Sequence, residues 1–245
     1  VVTEVHQPSP ARIAPRESHY LCCSPWQIMA EEEEVAWKRA IVQELFTQEY
    51  HVALPAFELV SGAWYGYRNK LEFSFTDTPE GLSLAFFERG SHRCKLPIEG
   101  CLLGTPAINE AAQCICRLLR SAGVMAGALK SLMVRSNQAG QVVAALFVTD
   151  RALAIGDPRV DAASVQGLRV FYSDPQSPAA VGTSLLQAYG SPRLEEVLLG
   201  RPLCFSDRSF FQINVPLYER ALADIRPFVS LEWPLLDLYA GVGTI

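Results

Sequence analysis

The chain ends in an apolar run that leads into two glycines, Leu235-Leu236-Asp237-Leu238-Tyr239-Ala240-Gly241-Val242-Gly243-Thr244-Ile245. No other stretch restricts the available folds as much. A buried strand that delivers the backbone to a Gly-x-Gly loop opens nucleotide-type cofactor sites, because glycine lets the main chain turn sharply and approach a ligand closely. NAD, FAD and S-adenosylmethionine sites all use such a loop, so the motif alone leaves the cofactor open. The first residue is Val1 and the last lies inside the motif, so the chain reads as a fragment of a longer protein.

The rest of the chain gives this ending its context. Its 245 residues are 49% hydrophobic and 19% charged, the balance of a globular protein with a sizeable core. No apolar run approaches the roughly eighteen residues of a membrane span, and no signal peptide opens the chain. The net charge of −5 argues against a nucleic-acid partner, but the run Glu31-Glu32-Glu33-Glu34 supplies four of those negatives. Local charge is therefore the better guide. Seven cysteines, an odd number in no regular framework, suit a reducing cytoplasm.

Periodicity predicts a helix from Glu31 to about Tyr50, with Val35, Ile41, Val42, Leu45 and Phe46 as its apolar stripe. The acidic run would fall in its first turn, where the helix dipole favours negative charge. Hairpins are expected at 71–75 with 82–86 and at 129–135 with 142–148, and a helix at about 107–121 that Gly123 closes. Strands at 168–172, 194–198 and 202–205 complete an α+β segment. Asn214 is placed to cap an amphipathic helix carrying Leu217, Ala221, Leu222, Ile225 and Phe228, and the final strand follows it. A short strand is expected at Val1–Val5.

Two further stretches carry chemistry. In Ser209-Phe210-Phe211-Gln212-Ile213-Asn214, the Gln212 and Asn214 amides share a face if the segment is extended. Tyr65-Gly66-Tyr67-Arg68-Asn69-Lys70 and Arg89-Gly90-Ser91-His92-Arg93-Cys94-Lys95 are basic, and aromatics interleave the first. Cations neutralise phosphates and rings stack on unpaired bases, so together they suit looped or single-stranded RNA. Either stretch alone would read as a solvated hairpin.

Taken in order, Tyr67–Phe73, the Gly90-Ser91-His92 loop leading to Pro97–Cys101, Ser209–Asn214 and Leu236–Thr244 resemble the RNA (uracil-5-)-methyltransferases, the family of the TrmA and RumA enzymes. The resemblance implies S-adenosylmethionine-dependent methylation of uracil C5 in structured RNA. A cysteine thiolate would add to C6 of an extruded base, and an acidic residue would help remove the C5 proton. Carried over by motif, Gln212, Tyr239, Gly241, Gly243 and Thr244 would bind the cofactor, although many relatives have Asn at the position of Thr244. Asp237 would organise the loop. Arg68, Asn69, Lys70, Arg89 and Arg93 are the RNA-binding candidates. None of Cys22, Cys23, Cys94, Cys101, Cys114, Cys116 or Cys204 has the nucleophile's motif context, which in the family lies in the C-terminal portion. No catalytic residue is therefore assigned in the chain, which on this reading is inactive alone.

The resemblance extends to the N-terminal region, with departures. Relatives that hold a [4Fe-4S] cluster carry Cys-x5-Cys-x2-Cys and a distant fourth Cys. Laid on that pattern, Glu17 takes the first position, Cys23 the second, Trp26 the third and Cys101 the fourth. Only Cys23 and Cys101 keep a thiol, so loss of the cluster is the expected state.

The expected organisation is the end of a β-barrel (TRAM) domain and linker at 1–16, a cysteine-containing region and helix at 17–54, a central α+β RNA-binding domain at 55–205, and the start of an α/β Rossmann-like methyltransferase domain at 206–245. The expected protein is a cytoplasmic monomer acting on ribosomal rather than transfer RNA. Two alternatives remain open, a non-catalytic RNA-binding module of the same descent and an NAD-type oxidoreductase.

Overall fold

Between β1 (Lys70–Thr78) and β2 (Gly81–Phe87) the chain reverses over Pro79 and Glu80, and Thr78 Oγ1 donates to the Gly81 carbonyl across the turn at 2.9 Å. The computed structural model in which this hairpin is seen describes residues 4–162, 164–177, 180–230, 232, 234, 236–238 and 240–244. Two compact units result, Val1–Gly62 and Ala63–Ile245.

In the first unit, Arg12 forms a β-bridge with Met29. The backbones of Ala11 and Ile13 bond Ala30 and Ile28 at 2.9 Å. Between those arms lie the short helix α1 (Tyr20–Cys23) and a 3-10 turn (Pro25–Ile28). Helix α2 spans Glu31–Glu44 and carries all four acidic residues in its first turn, as the dipole argument requires. The helical path continues as a π-helix over Leu45–Glu49, so it ends close to the expected Tyr50. Ile41, Leu45 and Phe46 of its predicted buried stripe are exposed. Among the described residues of this unit no second long helix is present to cover them. The strand expected at Val1–Val5 lies mostly outside the described residues, and Glu4 and Val5 are not extended into one.

The second unit is built on a seven-stranded mixed sheet, in the order β3-β2-β1-β4-β5-β6-β7. The further strands are β3 (Lys95–Pro97), β4 (Leu129–Ser136), β5 (Val142–Val148), β6 (Val165–Tyr172) and β7 (Ser184–Gly190). All neighbours are antiparallel except β5 and β6, which run parallel. Helix α3 (Pro106–Ser121) lies against β2, β4 and β5 and buries Ile108, Ile115 and Leu119 completely. Each such side chain contributes about 1.5–3 kcal/mol of burial.

The other face is covered by the hairpin β8 (Arg193–Leu198) and β9 (Arg201–Ser206) and by helix α4 (Val215–Ile225). Val143 of β5 joins Leu194, Leu198, Phe205, Phe211, Val215 and Leu222 in one core. Covered on both faces, β5 is buried at every position. The sequence reading missed β7 and β3: β7 is half exposed and lacks an apolar alternation, and β3 is only three residues long.

The expected terminal strand is a correction. Leu236 and Leu238 are exposed at 78% and 70%, and among the described residues of that run none is in a strand. A strand is held by ladder bonds to a neighbour, and no described strand pairs with this one, so burial and pairing fail together. Residues 63–245 form one unit, so α4 and the described part of the glycine loop stand on the central sheet.

Candidate functional site

The Tyr67–Phe73 and Ser209–Asn214 motifs, far apart in sequence, meet at Asn69. Its backbone N–H donates to the Ile213 carbonyl at 3.0 Å and its side-chain amide donates to the Gln212 carbonyl at 2.9 Å. Its own carbonyl accepts from the Ser136 N–H at 2.9 Å. Asn69 is only 4% exposed, so its amide is committed to the protein interior instead of being displayed to RNA. One residue before it, the Arg68 backbone bonds Leu103 at 2.8 Å and Thr105 at 3.2 Å.

The segment so held alternates its side chains in and out. Phe211 is buried and stacks on Phe205 with ring centroids 4.6 Å apart. Phe210 is 72% exposed and Gln212 faces solvent. Asn214 caps α4, its Oδ1 accepting from the Leu217 N–H at 3.3 Å. Its amide is therefore used locally, as expected, and the Gln212 side chain is left available.

The glycine loop reaches the same end of α4. Gly241 and Gly243 adopt φ of 61° and 74°, and the Gly243 N–H bonds the Ala240 carbonyl at 2.8 Å. A Cβ on Gly243 would meet nothing, so glycine is required there by backbone conformation and not by crowding. Thr244 Oγ1 and the Tyr218 hydroxyl are 2.6 Å apart, and Val242 packs on the α4 core. Tyr218 also donates its N–H to the Asn214 carbonyl at 3.0 Å. The Gln212 segment and the loop therefore both hang from the first turn of α4. Asp237 is half-buried, and Tyr239 lies outside the described residues.

The basic candidates form two groups. Arg68 and Lys70 are half-buried, with the Arg68 guanidinium 5.9 Å from the Tyr67 ring. Arg89 and Arg93 are exposed on the β2–β3 loop. Ser91 shapes that loop, its hydroxyl accepting from the N–H groups of Arg93 at 3.1 Å and Cys94 at 2.8 Å.

Sequence reading overlooked Arg135. It pairs with Lys70 in the β1–β4 register, is 2% exposed, and lies 5.3 Å from the Phe205 ring. Its Nε and Nη1 are buried without a hydrogen-bond partner. Burial pulls its pKa down to about 10, against the opposing pull of Asp207. Burial first and Arg135 second lower the pKa of Lys70, while Glu72 opposes them. The signal in the sequence was an arginine directly after the apolar run Leu132-Met133-Val134 on the same strand. Asp207, 1% exposed, is itself paired with Arg169 beside the same segment.

The cysteines do not form a catalytic set. Burial pushes the Cys114 and Cys116 thiols up, away from thiolate character, despite the nearby Arg117 and Arg120. Around Cys23, within the first unit, stand Glu17, His19 and Gln27, while Trp26 lies under the Lys38 ammonium at 5.5 Å. Cys101, in the second unit, is buried, with its backbone clasped by the Asn109 amide at 2.9 and 3.0 Å. A carboxylate and an indole at two of the four ligand positions do not fit a [4Fe-4S] cluster, which is held by thiolates.

No family model matches the chain. It is 25% identical over 231 residues to a Streptococcus agalactiae protein named an uncharacterized RNA methyltransferase, covering 87% of this chain and 51% of that one. Over 268 residues it is 25% identical to a Caldanaerobacter subterraneus protein of the same name, covering 100% of this chain and 59% of the relative. The fold matches a Pyrococcus abyssi tRNA (uracil-54, C5)-methyltransferase solved with S-adenosyl-L-homocysteine, at TM-score 0.76 and 17% identity, covering 98% of this chain and 57% of that one. The chain thus spans about half the length of the curated relatives it matches. Those relatives are named as RNA methyltransferases, and the resemblance read from the motifs is borne out to that extent.

Proposed function

We propose that the chain carries the RNA-docking and cofactor-entry parts of an S-adenosylmethionine-dependent RNA uracil-C5 methyltransferase. The observation that carries this reading is the Asn69 clamp, which ties a basic strand end to the segment presenting Gln212. S-adenosylmethionine would supply an electrophilic methyl group. The described residues suit such a ligand: Gln212 offers an exposed amide, and the Gly241–Gly243 turn exposes backbone that a nucleoside can approach.

Arg68, Lys70, Arg89 and Arg93 would neutralise phosphates, and Tyr67 and the exposed Phe210 offer faces for unpaired bases. Uracil C6 is shielded in a stacked helix, so the target base would be extruded before attack by a thiolate. Cys114 and Cys116, held protonated by burial, do not fill that role. Ribosomal RNA is the substrate class we favour, from the N-terminal resemblance; the Pyrococcus protein is named for transfer RNA.

The test is methyl transfer from labelled S-adenosylmethionine by the full-length gene product to ribosomal and transfer RNA, read as 5-methyluridine. RNA binding with neither methyl transfer nor cofactor binding would favour the non-catalytic module. Binding of NAD in place of S-adenosylmethionine would favour the oxidoreductase.

A further inference from the structure

The donors around Cys23 that fail as an iron-sulfur site have a chemistry of their own. We propose that Glu17, His19 and Cys23 form a mononuclear site for a divalent cation of the zinc class. One carboxylate, one imidazole and one thiol offer ligand atoms that all lie within 4.8 Å of one another. Oxygen, nitrogen and sulfur together are the mixed donor set that a borderline-soft ion accepts.

The spacing fits a tetrahedral ion. Bonds of about 2.0 Å to oxygen and nitrogen and about 2.3 Å to sulfur place neighbouring donor atoms about 3.3–3.5 Å apart. Glu17 Oε1 lies 3.2 Å from His19 Nε2, and Glu17 Oε2 lies 3.5 Å from Cys23 Sγ. The local chain explains how they meet. Glu17 and His19 sit in the turn before α1, and Cys23 closes that helix, so a seven-residue stretch turns three donors inward.

A supporting shell is also present. Gln27 is buried and its Nε2 donates at 2.7 Å to Glu17 Oε2, the oxygen that faces Cys23, which orients the carboxylate as outer-shell groups orient metal ligands. Glu17 and His19 are each 8% exposed, so an ion held between them is shielded from bulk water. A divalent cation bound by a carboxylate and a thiolate gives a site of zero net charge. On binding, the Cys23 S–H bond breaks, the sulfur lone pair forms the metal bond, and the proton leaves to solvent. The fourth coordination position is left for water or another donor.

The experiment uses the whole 245-residue protein, purified anaerobically without added metal. Elemental analysis is expected to find one zinc per chain that survives dialysis, and its removal by a chelator lowers the melting temperature. Titration of metal-stripped wild-type protein with Co2+ should give a thiolate-to-cobalt charge-transfer band saturating at one equivalent. Cys23→Ser abolishes the band, and Glu17→Gln weakens cobalt affinity about tenfold or more. Folded wild-type protein that retains no zinc and gives no thiolate band overturns the proposal, and leaves a hydrogen-bonded knot in its place. Stoichiometric iron with acid-labile sulfide overturns it equally. The cobalt titration reads the wild-type chain, so it decides between these outcomes even if the variants misfold.

Discussion

The Asn69 side-chain amide reaches the main-chain carbonyl of Gln212 over 2.9 Å, although 143 positions separate the two residues in the chain. That bond holds backbone, so the Gln212 side chain stays out of the interior. Removing the amide takes the side-chain donor from a part-buried carbonyl, which costs about 0.5–1.5 kcal/mol. Asn69→Ala is expected to lower the melting temperature and also to weaken S-adenosylmethionine binding. A stability loss with unchanged cofactor affinity would show that the clamp does not position the segment.

Gln212→Ala tests the contact itself. The side chain is exposed, so thermal stability should not change. Losing one hydrogen bond of about 0.5–1.5 kcal/mol should weaken cofactor binding several-fold in calorimetry and leave RNA affinity intact. Equal losses of both would contradict the assigned role.

The double change Arg68→Ala with Lys70→Ala should weaken RNA binding and make its salt dependence shallower by about 1.4 for single strands, at about 0.7 per phosphate contact. An unchanged slope would move the RNA surface elsewhere. Lys70 adds a pH dependence. Burial and Arg135 lower its pKa from 10.5, so its contribution to RNA affinity should fade at a lower pH than that of a surface lysine. Stability runs the other way. The unfolded chain holds this proton more tightly than the folded one, so the lysine's unfavourable share lessens as pH rises through the folded pKa toward 10.5.

Arg135 is a cation kept in the core with two unpartnered nitrogens. Arg135→Met keeps the aliphatic contact with Phe205 and removes the desolvation penalty, so it is expected to raise stability by about 1–3 kcal/mol in denaturant titration. Loss of RNA binding in the same variant would show that the buried charge is kept for function. A destabilised variant would mean that its charge is satisfied in a way its geometry does not suggest.

Tyr218→Phe removes the hydroxyl partner of Thr244 and unties the glycine loop from α4. Cofactor affinity should fall by a few-fold, matching about 0.5–1.5 kcal/mol, with the melting temperature little changed. Thr244→Val removes the same bond, so it should weaken binding at least as much, and adding Tyr218→Phe to it should lower affinity no further.

Strong local signals were legible in the sequence. The β1–β2 and β4–β5 hairpins lie where alternation and turn residues place them, and α3 follows its apolar stripe. Asn214 caps α4 as its position before Pro216 suggests. The α2 stripe and the terminal strand read equally well as patterns, yet Ile41 and Leu236 are exposed. A pattern states which face is apolar but not what covers it.

Residue types and spacing by themselves determined the α+β order, the glycine turn of the terminal loop and the likeness to proteins named RNA methyltransferases, because these are properties of short stretches of chain. Only the tertiary structure decided that Asn69 faces inward, that Arg135 is buried beside Lys70, and that Tyr218 holds the loop of Thr244. Each of those outcomes depends on a partner supplied by a distant segment. A side chain's role is set by which polar atoms come within hydrogen-bond reach once the sheet is assembled.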